Sequence, residues 1–159
     1  MKVILDWVPN HTGWEHTWSK THPEYYTKVA GAITEPLDPE KRKSLGWEDV
    51  ADLNYDNQAM RAAMIADLLY WVNDIGVDGF RMDIAHGVPL DFWQTAIPTL
   101  RAANEDIFML AESELPEQVN SDNLFTMCYA WSFHHLMNRM AQSEDSLASI
   151  DQWLSERTE

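Results

Sequence analysis

Three acidic side chains stand where short apolar runs end: Asp6 after KVIL, Asp83 after Gly79-Phe80-Arg81-Met82, and Glu112 after IFMLA. In an extended strand, residues two apart share a face. Arg81 and Asp83 therefore point the same way, and Phe80 and Met82 the other. Phe108, Leu110 and Glu112 share a face by the same rule. A guanidinium beside Asp83 keeps that carboxylate charged and oriented, as a covalent nucleophile at a sugar carbon must be. Glu112 follows an apolar run, so burial favours its neutral form, the form that donates a proton.

Glu112 lies one strand–helix–strand unit beyond Asp83, close to the ~30 residues such a unit takes. It falls on the neighbouring parallel strand, about 4.8 Å away. Two carboxylates so placed stand about 5–5.5 Å apart, the spacing of a retaining glycosidase, whereas an inverting pair needs a wider gap for water. A metal-binding acid cluster in an enolase-like barrel has the same signature. A lone strand-end acid is ordinarily a solvated residue or a helix cap. Three of them, one with Arg two residues before it, weigh toward chemistry.

The elements that must carry these groups alternate. Residues 2–8 form an apolar, β-branched run closed by Pro9, a buried-strand signal. Residues 10–55 show no sustained period, and an irregular connection of that length tends to be functional. Residues 57–75 are the clearest helix, with Met60, Met64, Leu68, Trp71, Val72 and Ile75 on one face, a cap at Asp56 or Asn57, and a stop at Gly76. A strand over 78–85 follows. Pro89 opens a helix with Leu90, Trp93, Ile97 and Leu100 on one face and a kink expected at Pro98. Strands are expected over 107–112 and 124–130, and helices over 133–142 and 146–155. Alternating strands and helices imply a parallel sheet with right-handed crossovers. No G-x-G-x-x-G follows any strand, and acids at strand C-terminal ends favour a (β/α)₈ barrel.

Composition narrows the partners. The formal net charge of −15 repels phosphate backbones, so nucleic acid is not an expected partner and a neutral substrate is. No apolar run approaches bilayer length, so no membrane partner is expected. The opening MKVILDWVPN reads as a strand rather than a signal peptide. Cys128 is the only cysteine, which excludes an internal disulfide. Trp14, Trp18, Trp47, Tyr25 and Tyr26 could stack on sugar rings, although a small local core is the commoner use of such residues. His134 and His135 are adjacent, so on a helix they do not converge on one ligand.

Four segments resemble the motifs of the alpha-amylase family, glycoside hydrolase family thirteen. Asp6-Trp7-Val8-Pro9-Asn10-His11 is similar to D-x-V-x-N-H, Gly79-Phe80-Arg81-Met82-Asp83 to G-F-R-x-D, and Ala111-Glu112 to the third region. Ala51-Asp52-Leu53-Asn54 resembles the extra region near the end of the inserted domain. The resemblance implies that Asp83 is the nucleophile, Glu112 the general acid/base, and Arg81 the residue that holds Asp83. It implies that His11 binds sugar before the cleaved bond, with Asp6 a structural acid beside it. It further implies an α-glucan or maltooligosaccharide substrate, cleaved at α-1,4 bonds or transferred between sugars. Asn10 and Asp52 would contribute to a structural calcium site, through oxygens as that cation requires.

Two departures from the family pattern stand out. Many relatives have a Lys-His pair at the positions of His86 and Gly87; Gly87 offers no side chain, and His86 either substitutes as the sugar contact or is a solvated loop residue. The family's third acid, in an N-H-D motif, is absent after Glu112. The expected architecture is a partial TIM barrel, about strands three to six, formed by residues 1–10 and 56–159 with an insertion at 11–55. Open sheet edges would leave such a piece poorly stable and inactive alone.

Overall fold

The structure, a computed structural model, describes residues 1–38, 43–119 and 124–156. Residues 39–42 of the expected insertion, and 120–123 and 157–159 of the expected barrel segment, lie outside the described residues. The chain forms two compact units, Met1–Cys128 and Tyr129–Glu159.

In chain order the first unit contains β1 (Ile4–Trp7), β2 (His11–Gly13), α1 (Thr17–Thr21), β3 (Lys28–Val29), β4 (Ala32–Ile33), β5 (Val50–Asp52) and α2 (Gln58–Tyr70). After α2 come β6 (Gly79–Met82), α3 (Leu90–Ala103), β7 (Phe108–Ala111), α4 (Pro116–Val119) and β8 (Met127–Cys128). β1, β6, β7 and β8 make one four-stranded sheet in that order, every pair parallel. These are the four strands expected of a partial barrel, and the sheet order is the chain order.

One face of the sheet is sealed. Phe80, Met82, Met109 and Ala111 are fully buried, and so are Trp93, Ile97 and Leu100 of α3. Met60, Met64 and Leu68 of α2 join the same core. Each such large side chain contributes about 1.5–3 kcal/mol by leaving water. The opposite face carries Asp6, Arg81 and Leu110 in one register row, with the exposed Ile4 and Met127 nearer the edges.

Gly79 is required by this sheet. A Cβ there would lie 2.1 Å from the carbonyl oxygen of Phe108, its register partner on β7. The glycine of the G-F-R motif is thus a packing necessity between β6 and β7.

Helix α2 starts where expected, since Asn57 Oδ1 accepts from the N–H groups of Ala59 (2.9 Å) and Met60 (3.1 Å). Its end differs from the expectation. Trp71–Ile75 winds as a π-helix, stopped by Gly76 in the left-handed conformation at φ 79°. The wider turn shifts the register, so Ile75 leaves the apolar face and is 52% exposed. Helix α3 runs through Pro98 as one element. Nearby, the Thr95 and Thr99 hydroxyls donate to the carbonyls of Asp91 and Thr95.

Residues 11–55 are less irregular than their composition suggested. β2 and β5 pair antiparallel, His11 opposite Asp52, and β3 pairs with β4. Tyr25 and Tyr26 are buried in the local core and Trp18 packs against it. These three aromatics are structural.

The second unit holds α5 (Trp131–Ala141) and α6 (Ala148–Ser155). Trp153 lies 4.8 Å from Phe133, centroid to centroid, and donates to Ser132 Oγ at 2.9 Å. His134 Nε2 contacts Asn138 Nδ2 at 3.0 Å, a contact along the helix. Among the described residues, no helix is long and apolar enough to cross a membrane.

Candidate active site

The parallel register brings the acids together. Asp6 is the partner of Arg81 across β1 and β6, and Arg81 of Leu110 across β6 and β7. Asp83 and Glu112 each stand one residue past the end of a strand. The Asp83 N–H donates to the Trp7 carbonyl at 2.8 Å and the Glu112 N–H to the Met82 carbonyl at 3.0 Å. Both side chains emerge at the C-terminal end of the sheet, where barrel enzymes place their chemistry.

Arg81 ties the group. Its Nη1 pairs with Asp83 Oδ1 and, at 2.9 Å, with Asp6 Oδ1, while Nη2 lies 3.0 Å from Glu112 Oε2. The Arg81, Asp83 and Glu112 side chains are 18%, 23% and 20% exposed, whereas Asp6 is 68% exposed. The inner pair is thus largely withdrawn from water, where a charge pair gains strength, and Asp6 stands at the solvent edge. The apolar surroundings expected for Glu112 are not what its carboxyl meets. Oε2 accepts the Ile84 N–H at 2.9 Å in addition to the guanidinium contact. The apolar run IFMLA faces the core through Met109 and Ala111 instead.

His11 opens β2 and its ring is half-buried. Burial pushes its pKa below the ordinary 6.5, against the upward pull of the Asp83 and Asp49 charges. Trp47 meets the His11 ring edge-on at 5.8 Å. Trp14 donates to the Glu48 carbonyl at 2.9 Å. His86 Nδ1 lies 3.2 Å from the Glu112 carbonyl oxygen, so this residue borders the acid.

Gly87 has its own reason to lack a side chain. A Cβ there would meet Asn10 Nδ2 at 2.9 Å and Ile84 Cγ2 at 3.1 Å. Asn10 Nδ2 donates to the Gly87 carbonyl at 3.2 Å, and Asn10 Oδ1 faces His11 Nδ1 at 3.3 Å. Asp52 sits opposite His11 on β5. Calcium takes about six to eight oxygens. Among the described residues, no group of three or more His, Cys, Asp or Glu is placed to hold a metal. No chemical step below uses a calcium ion.

Two contributors carried no signal in the sequence. The Ile84 N–H reaches Glu112 only because of a local backbone turn. Gln118, fully buried, donates through Nε2 to the Ala85 carbonyl at 2.9 Å and braces that turn.

The profile of the alpha-amylase catalytic domain matches residues 1–150. The chain belongs to the alpha-amylase family. That family comprises glycoside hydrolases and transglycosylases, and its catalytic domain makes the parallel sheet described above a partial TIM barrel. The chain is 33% identical over 104 residues to the alpha-1,4-glucan:maltose-1-phosphate maltosyltransferase of Corynebacterium pseudotuberculosis, covering 62% of this chain and 14% of that protein. It is 27% identical over 138 residues to alpha-amylase 3 of Dictyoglomus thermophilum, covering 70% of this chain and 26% of that protein. The crystal structure of an alpha-amylase from Lactobacillus plantarum superposes with a TM-score of 0.82 at 29% identity, covering 99% of this chain and 39% of that one. The chain thus spans well under half the length of these alpha-amylase family members.

Proposed function

We propose that this chain carries the nucleophile and the acid/base of a retaining enzyme acting on α-1,4-glucosidic bonds of maltooligosaccharides or starch-like glucans. The observation that supports the reading best is that one guanidinium contacts both carboxylates, Asp83 through Nη1 and Glu112 through Nη2. Two acids spanned by one side chain suit a retaining pair, about 5–5.5 Å apart, rather than an inverting one.

In the first step Asp83 attacks the anomeric carbon while Glu112 gives its proton to the departing oxygen. The bond from carbon to the leaving oxygen breaks and a bond to Asp83 forms. In the second step Glu112, now a carboxylate, takes a proton from water as that water displaces Asp83. Arg81 holds Asp83 in place before attack and contacts both carboxylates. His11, with Trp47 beside it, offers a polar edge and an aromatic face to the sugar on the Asp83 side. His86, next to Glu112, borders the leaving group. Asp6 orients Arg81.

The same two groups serve transfer when a sugar hydroxyl replaces water. The likeness to a maltosyltransferase favours keeping that acceptor in view. Product analysis with a glycosyl fluoride donor and added maltose separates the two: longer oligosaccharides mean transfer, free sugar alone means hydrolysis.

The test is covalent trapping. A 5-fluoro-α-glucosyl fluoride brings a leaving group that needs no proton, so attack by Asp83 alone labels the chain. The expected result is one added sugar on the peptide containing Asp83, absent from Asp83→Asn. A label elsewhere, or none, overturns the reading in favour of a non-catalytic sugar-binding relative. Unactivated maltooligosaccharides need a third acid that the chain does not contain, so their turnover by this chain alone is expected to be negligible. Robust turnover would refute that need.

A further inference from the structure

Ile84 holds a backbone conformation that its side chain disfavours. At φ 47° and ψ 43° it lies in the left-handed region, where a β-branched residue is an outlier. Such a conformation persists only where the surroundings over-determine it. Here they do. The preceding N–H, of Asp83, is fixed to the Trp7 carbonyl, and the Gly87 N–H bonds back to the Ile84 carbonyl at 2.9 Å. The next carbonyl, of Ala85, accepts from Trp93 Nε1 at 3.1 Å and Gln118 Nε2 at 2.9 Å. Both donor residues are fully buried. Asn10 holds the far end of the turn through the Gly87 carbonyl.

What the turn gains is the direction of a single N–H. Ile84 N donates to Glu112 Oε2 at 2.9 Å, the same oxygen that Arg81 Nη2 approaches to 3.0 Å. We propose that Ile84 is a positioning residue of the site: its left-handed N–H, together with Arg81, anchors Glu112 Oε2 and leaves Oε1 as the oxygen that exchanges the proton. The inference rests on the reading of Glu112 as acid/base given above. An oxygen surrounded by two donors is a poor place for a further proton, so the proton sits on Oε1. In the first step the Oε1–H bond breaks and its proton moves to the glycosidic oxygen. In the second step Oε1 takes a proton from the attacking water. Oε2 keeps both donors throughout. With residue 84 in a right-handed conformation the chain beyond it would lose the Ala85 and Gly87 bonds that hold the turn, the N–H would lose its fixed aim at Oε2, and Arg81 alone would hold that oxygen.

Amide hydrogen exchange and NMR titration of the chain test this. In the unsubstituted chain the Ile84 amide proton shift follows the titration of the Glu112 side-chain carbon. Glu112→Ala speeds exchange at Ile84 about tenfold, the worth of one hydrogen bond, while Asp83 is unchanged. Glu112→Gln retains an acceptor oxygen and restores slow exchange. An Ile84 amide that ignores both the titration and Glu112→Ala overturns the inference, even where Asp83 is labelled by the fluoride probe and the proposed function stands. An Ile84 amide that responds supports the anchor, and absence of the Asp83 label then counts against the proposed function.

Discussion

Arg81 Nη2 lies 3.0 Å from Glu112 Oε2, across the boundary between two parallel strands. The contact is long-range in sequence and short in space because β6 and β7 run in register, Arg81 opposite Leu110. Two residues beyond Leu110, on the same face, Glu112 leans back over the guanidinium. The pairing therefore reports the strand register directly. A one-residue slip of β7 would turn Glu112 into the core.

Replacing Arg81 leaves three carboxylates around a vacated cationic position, two of them largely withdrawn from water. Arg81→Met is expected to cost about 3 kcal/mol of stability, the scale on which half-removed buried ion pairs are felt. Arg81→Lys keeps the charge but not the fork that spans Asp83 and Glu112, and is expected to slow covalent labelling of Asp83 about a hundredfold. Urea denaturation and label kinetics are the readouts. A stability loss below about 1 kcal/mol would mean that the guanidinium contacts carry little energy.

Gly79→Ala is expected to be more damaging than its one added carbon suggests. The new Cβ meets the backbone oxygen of Phe108 at 2.1 Å, and backbone cannot rotate away as a side chain can. Either β6 and β7 separate or the register breaks. The expected loss is about 3 kcal/mol or more, seen as a lower urea midpoint or as insoluble expression. Parent-like stability would contradict the close approach of these strands.

Much of this arrangement is legible in the chain. Asp83, Arg81 and Glu112 could be placed because strand alternation is a strict period of two, and the start of α2 because Asn57 is a strong cap. Other parts were hidden for physical reasons. β2 to β5 are two or three residues long, too short to show a period. The π-helical turn before Gly76 has no compositional mark, so the helical spacing places Ile75 on a face that it leaves. Ile84 is the sharpest case: a β-branched residue gives no warning of a left-handed backbone, and that conformation is imposed by Trp93, Gln118 and Asn10. One of the two polar contacts of Glu112, the Ile84 N–H, follows from the same turn; the other is Arg81.

Chelation should leave the chain unchanged. The link between residue 10 and residue 87 is a direct amide-to-carbonyl hydrogen bond at 3.2 Å. Thermal melts with excess chelator and with millimolar calcium are expected to coincide. Asn10→Ala, by contrast, removes the donor and is expected to lower stability by about 1 kcal/mol. A calcium-dependent rise in the melting temperature would show that the oxygens of Asn10 and Asp52 rearrange around the ion.

His11 gives the chain a pH dependence whose sign can be worked out. Burial holds its pKa below 6.5, so between that lowered value and 6.5 the unfolded chain binds more protons than the folded one. Stability then rises with pH across this window. The contribution is complete above pH 6.5, shrinks as pH falls toward the folded value, and is constant below it. His11→Gln removes the titrating group while keeping a polar side chain at the end of β2. Carboxylates act in both proteins, so the readout is the difference between two urea-stability profiles measured from pH 7.5 down to about pH 5, where histidine titrates. The parent is expected to lose more stability than His11→Gln below pH 6.5. Parallel profiles would mean that the imidazole is as well solvated folded as unfolded, and that Trp47 and the strand pairing with Asp52 do not enclose it.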